Sequence, residues 1–168
     1  MNRGFSVMEL LVAIVLLGIL ATLALPLSVR DQHRLELESG LRRLRVGLAR
    51  GRLAALRTQS PCALRLSDGG WMAPASLALP ACVGASTGLV EPSMTPVLRM
   101  HSTLPDAVRF TANGLVLDGG LVVLRHPRLS TPGCLVIGLP LGITRTGVYH
   151  RDPSVELSSA HCRPSHGR

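Results

Sequence analysis

The chain has no lysine: every one of its 18 basic residues is arginine. A phosphate-binding loop of the G-x-x-x-x-G-K-[ST] type is thereby excluded, because its lysine has no counterpart here. Aromatic residues are almost as scarce, with Phe5, Trp71, Phe110 and Tyr149 the whole complement. A core must therefore rest on Leu, Val and Ile, and any nucleic-acid contact must be made through the phosphate backbone, without sequence preference, rather than by base stacking. No C-x-x-C or H-x-x-x-H spacing frames a zinc site, and no G-x-S-x-G elbow frames a serine nucleophile. His101, His126, His150 and His161 read as surface or loop residues. These absences predict a protein that is not an enzyme and has neither a cofactor nor a bound metal.

What is present begins with charge. The 18 arginines stand against 10 acidic residues, a net charge of +8. That balance favours acidic partners: nucleic acid, anionic lipid or an acidic neighbouring subunit. At 168 residues the chain has room for a long helix and one soluble domain of about 110 residues.

The first thirty residues are the most informative. Behind Met1-Asn2-Arg3-Gly4 an apolar run opens at Phe5, and between Leu10 and Val29 no charged residue occurs. The run is long enough to cross a bilayer as one helix. It lacks the small-residue cleavage site that would follow a secretory signal core. One acid, Glu9, interrupts it. A carboxylate on a membrane helix costs about 2.5–3.5 kcal/mol at mid-depth and less near the interface, so Glu9 needs a cationic partner. A cut between Gly4 and Phe5 would place Glu9 one helical turn from a new α-amino group, and that amine on a neighbouring subunit is the natural counter-ion.

Arg3-Gly4-Phe5-Ser6-Val7-Met8-Glu9-Leu10 resembles the class III leader of type IV pilins and type II secretion pseudopilins. The resemblance implies cleavage after Gly4 by a prepilin peptidase, N-methylation of Phe5, and use of Glu9 to align the subunit as it enters a helical filament. Pro26 falls where such proteins bend their first helix, as a missing backbone donor permits. Arg3 on the cytoplasmic side follows the positive-inside rule; Arg30 and Arg34 beyond the run oppose it and are partly offset by Asp31 and Glu36.

Beyond Pro26 the helical pattern continues. Leu37, Leu41, Leu44, Leu48 and Ala55 make one apolar face, with Gly51 allowing close approach to a sheet. The other faces carry Arg42, Arg43, Arg45, Arg50, Arg52 and Arg57, and Glu38 is spaced to pair with Arg42. Past Ser60-Pro61 come strand signals. Cys62 to Leu66 alternates, Asp68-Gly69-Gly70 turns, and Trp71 opens a return. Residues 80–96 read as a loop. A single antiparallel meander is expected from Ala107-Val108-Arg109-Phe110, Leu115-Val116-Leu117, Leu121 to Leu124, Cys134 to Ile137 and Gly147-Val148-Tyr149.

Four cysteines, Cys62, Cys82, Cys134 and Cys162, lie in the part expected outside the cytoplasm, where disulfides persist. Four cysteines admit three connectivities. Pairing Cys62 with Cys82 and Cys134 with Cys162 is preferred, since each pair then brackets one local unit.

The second half is similar to GspH/FimT-like minor pseudopilins and minor pilins. The matching segments are the Asp68-Gly69-Gly70-Trp71 hairpin, Val108-Arg109-Phe110 with its Asn113-Gly114 turn, and Cys134-Leu135-Val136-Ile137 leading to Gly142-Ile143-Thr144-Arg145. DNA-binding members carry a G-R-x-R motif at the last segment. Here Arg145 retains the second arginine, while Ile143 replaces the first. Arg125, Arg128 and Arg151 are nearby in sequence as alternative DNA contacts.

The expected fold is α+β and pilin-like, with a long N-terminal helix packed on a small antiparallel sheet. The expected divisions are a leader at 1–4, a transmembrane helix at 5–29, its amphipathic continuation at 30–60, a β domain at 61–157 and a polar tail at 158–168. The expected setting is the bacterial inner membrane, single-pass, with the C-terminal domain periplasmic, followed by entry into a filament near its tip. The implied partners are prepilin peptidase, other pilins or pseudopilins, the inner-membrane assembly platform, membrane lipid and, as the alternative role, DNA taken up in natural transformation.

Overall fold

The structure is a computed structural model in which residues 6–75, 79–89 and 97–164 are described, the side chains of 21–30 excepted. Gly4 and Phe5 lie outside the described residues. A long α-helix, α1, runs from Val7 to Thr58 and passes through Pro26 without a break, and a short 3-10 turn spans Ser159–His161. The long helix stops where Gln59 turns left-handed at φ 49°. Pro61 follows and cannot rejoin a helical ladder.

Among the described residues nine strands follow: β1 Cys62–Ser67, β2 Gly70–Met72, β3 Thr87–Gly88, β4 Arg99–Ser102, β5 Val108–Phe110, β6 Gly120–Arg125, β7 Gly133–Gly138, β8 Ile143–Tyr149 and β9 Cys162–Arg163. They form two antiparallel sheets, ordered β3-β2-β1-β5 and β4-β6-β7-β8-β9, so the architecture is α+β. The single meander expected from the sequence is corrected on three points, the first being that β5 leaves it to pair with β1 in the other sheet. Residues 115–117 are not a strand: Val116 makes one isolated bridge to Phe110, and its N–H goes to Pro140 O at 2.8 Å. The strand β4, polar in sequence, instead takes the edge beside β6.

The helix packs by one stripe. Leu37, Leu41, Leu44, Leu48 and Ala55 are buried against both sheets, together with Leu64, Phe110, Val122 and Leu135. Two glycines on that stripe let the backbones close. A Cβ on Gly47 would run into the Trp71 indole, and one on Gly51 would lie 2.7 Å from Leu64 Cδ1 and 2.8 Å from Phe110 Cζ. Trp71 fills the space left at Gly47, and its Nε1 donates to Leu44 O at 2.8 Å. On the helix surface Glu38 pairs backwards with Arg34 at 2.9 Å rather than forwards with Arg42.

Strand alternation gives the five-stranded sheet a second face away from the helix, where Leu121, Val123, Cys134, Tyr149 and Cys162 cluster. A disulfide joins Cys134 to Cys162 there, and another joins Cys62 to Cys82. The closed loops span 28 and 20 residues. In the chain-entropy description each such crosslink contributes about 3–4 kcal/mol.

The short β1–β5 edge is held by Asp118, which accepts from Arg109 Nε and from the Arg109 backbone N–H, both at 2.9 Å, and from Nη2 at 2.8 Å. The side-chain hydrogen bond from Arg109, more than the remaining charge attraction, holds the Asp118 carboxyl below its ordinary range. A carboxyl depressed in the folded state stabilises fully above its unfolded pKa of about 4, and the contribution fades as pH falls through the lower folded value. Asp118→Asn should therefore be less stable than the wild type at pH 7, with the gap closing below about pH 4. Urea titrations at a series of pH values would show this, and a gap independent of pH would refute it.

Candidate functional site

Three regions bear chemistry, and α1 positions each of them. The first is the N-terminal part of α1. From Val7 to Leu20 every large apolar side chain is exposed, on all sides of the helix, by 54% to 76%. A helix that is apolar all round has no stable state in water and requires lipid or other helices around it. Glu9 is exposed within this run, and among the described residues no cationic side chain pairs with it. Among the described residues no helix is long and apolar enough to cross a membrane. The part of the run from 21 onward falls where side chains are not described.

The second region is the β7–β8 hairpin. In β8, Thr144 faces the helix and receives a hydrogen bond from Arg45 Nε at 3.2 Å, while Arg52 Nη1 donates to Leu141 O at 3.0 Å. Ile143 and Arg145 therefore share the opposite, exposed face, where Arg145 Nη2 reaches Ser159 O at 3.5 Å. Arg145 stands level with Val136 and Leu121 across the sheet. Arg125, at the end of β6, lies about 13 Å further along the strands, at about 3.3 Å per residue. Arg128, in the β6–β7 connection, and Arg151, just past β8, fall at that same far end. The four arginines are thus divided, with Arg145 apart from the other three.

The third region escaped the sequence reading, which placed His126 on the surface or in a loop. His126 is 1% exposed. Its ring stacks on His33 of α1, with centroids 4.5 Å apart and planes 25° from parallel. Its Nε2 lies 3.1 Å from Glu36 Oε2, while His33 Nδ1 lies 3.7 Å from the same oxygen and, although buried, has no hydrogen-bond partner. The His33 to Glu36 spacing of three on one helix was the available signal.

Two imidazoles and a carboxylate invite a metal, but the geometry opposes one. The Arg128 backbone N–H donates to His126 Nδ1 at 3.1 Å, so Nδ1 keeps its lone pair and Nε2 carries the hydrogen aimed at Glu36. A ligating histidine has the reverse arrangement, its far nitrogen donating to an acceptor. Stacked rings also cannot both hold one ion in their planes. The cluster is a clasp between the helix and the β6–β7 connection.

One comparison with known proteins succeeds. The family model described as "Prokaryotic N-terminal methylation motif" matches residues 1–25. No curated protein and no solved structure matches the chain. The match supports a class III leader of the type IV pilin kind, and with it a pilin-type or pseudopilin-type subunit.

Proposed function

We propose that this chain is a minor pilin or minor pseudopilin of the GspH/FimT-like branch, a single-pass inner-membrane subunit drawn into the filament of a type II secretion system or type IV pilus, near the tip. Prepilin peptidase cuts after Gly4, Phe5 is methylated, and the assembly platform hands the subunit to other pilins. The observation that carries this reading is the helix 7–20, apolar on every side and without cover from its own domain, with one exposed carboxylate near its start. Packed among like helices it would be buried, and Glu9 would meet the amine of a neighbouring Phe5.

DNA capture has less behind it. Of the resembled G-R-x-R pattern only Arg145 is present, with Ile143 in place of the first arginine, and Arg125, Arg128 and Arg151 lie towards the other end of the strands from it.

Glu9→Leu tests the assembly role. The variant should insert, be processed and fold, because nothing in the β domain touches Glu9, yet be missing from sheared filaments. Its recovery there at wild-type levels would rule out the counter-ion role.

A further inference from the structure

The hairpin that Arg45 and Arg52 tie to the helix carries an unusual surface. Leu117, Leu139, Leu141 and Ile143 are exposed by 49%, 56%, 45% and 68%. They belong to two segments in contact, 116–119 and 139–143. Gly142 packs on Val116, a Cβ at Gly119 would lie 2.9 Å from Leu139 Cγ, and Val116 N–H donates to Pro140 O at 2.8 Å. Isolated exposed leucines are ordinary, but four on adjoining segments form a patch of the kind that marks a docking site.

The charge around the patch selects its occupant. Arg52 and Arg145 flank the hairpin. The one acid on either segment, Asp118, is only 12% exposed and is already claimed by Arg109. A second copy of this chain, itself carrying +8, would bring arginine against arginine. Nucleic acid would use the arginines but leave the leucines in water. Lipid is out of reach if residues 5–29 lie in the membrane, since about 35 Å of helix separates Val29 from Arg52 at about 1.5 Å per residue. What remains is a protein that offers an apolar centre inside an acidic rim.

We propose that the β7–β8 hairpin and segment 116–119 form a docking surface for a different, acidic protein subunit, with Ile143 near its centre and Arg145 on its rim. Docking here is separate from filament entry, which depends on the N-terminal helix.

The test is site-specific photo-crosslinking of the full chain in its native cell, with a benzophenone amino acid at Ile143 and, as control, at Val83, which is 80% exposed elsewhere on the domain. The Ile143 probe should crosslink one acidic protein that the Val83 probe does not. Arg145→Glu should reduce that crosslink by about tenfold, and changing acidic residues of the captured protein to arginine should restore it. Intact disulfides on a nonreducing gel would show that Arg145→Glu still folds. A crosslink to a second copy or to nucleic acid, a crosslink indifferent to Arg145→Glu or not restored by the reciprocal change, or no crosslink at all would overturn the proposal.

Discussion

Trp71→Ala should lower the unfolding free energy by about 3–5 kcal/mol, a large share of the roughly 5–15 kcal/mol that holds a domain together. The indole is 1% exposed and sits where Gly47 leaves the helix surface bare. Removing it opens a cavity that the rigid helix cannot close, and it deletes the hydrogen bond to Leu44 O. Trp71→Phe, which keeps most of the apolar area and loses the N–H, should cost about 1–2 kcal/mol. The same contact inverts a familiar sign. Gly→Ala within a helix usually gains about 0.5–1 kcal/mol, but a methyl on Gly47 would enter the space of the indole, so Gly47→Ala should instead destabilise by about 1–3 kcal/mol. Urea titration of the oxidised full-length protein in detergent would measure all three. Circular dichroism must be the probe, because Trp71 is the only tryptophan. A Trp71→Ala loss under about 1 kcal/mol would show that the helix is not seated on this residue.

The Trp71 contact also shows where a sequence informs and where it does not. The buried stripe Leu37, Leu41, Leu44 and Leu48 was legible because helical periodicity is a local property, and Gly51 stood out as a gap in it. That Gly47 faces Trp71 was not legible, since it depends on how far the β1–β2 hairpin swings back over the helix. The sheets were misjudged for the same reason. β1 takes β5 as its partner across a long intervening stretch, and in residues 115–117, apolar enough for a strand, the N–H groups go to Thr111 Oγ1, Pro140 O and Arg109 O in turn. β4 carries no strand pattern because an edge beside β6 needs backbone groups more than apolar side chains.

His126 is the clearest case among the site residues. A lone histidine after a strand reads as solvent-facing, and only the fold brings Glu36 and His33 to it and buries the ring. The apolar character of Leu139, Leu141 and Ile143 was visible, whereas their exposure was not, because exposure depends on how the hairpin packs against the rest of the fold. Gly4, Phe5 and Glu9 are the opposite case. The proposed roles of Gly4 and Phe5 come wholly from the leader pattern, which the family model also recognises at residues 1–25, while that of Glu9 rests as well on its exposed place in an apolar helix.

Gly4→Leu should abolish processing outright. A glycine before the cut presents bare backbone to the peptidase, and a branched side chain there obstructs the approach to the scissile bond. The uncut chain keeps Arg3 ahead of the apolar run and exposes no Phe5 amine, so Glu9 of a neighbour would have no counter-ion and a charge would remain at the membrane. The variant should accumulate in the membrane at full length and be absent from filaments.

The mass of the N-terminal peptide of the native, wild-type protein isolated from filaments tests the central claim most directly. The account predicts a chain that begins at Phe5 and carries one added methyl group on its amine. Filament-borne protein that still begins at Met1 would contradict it.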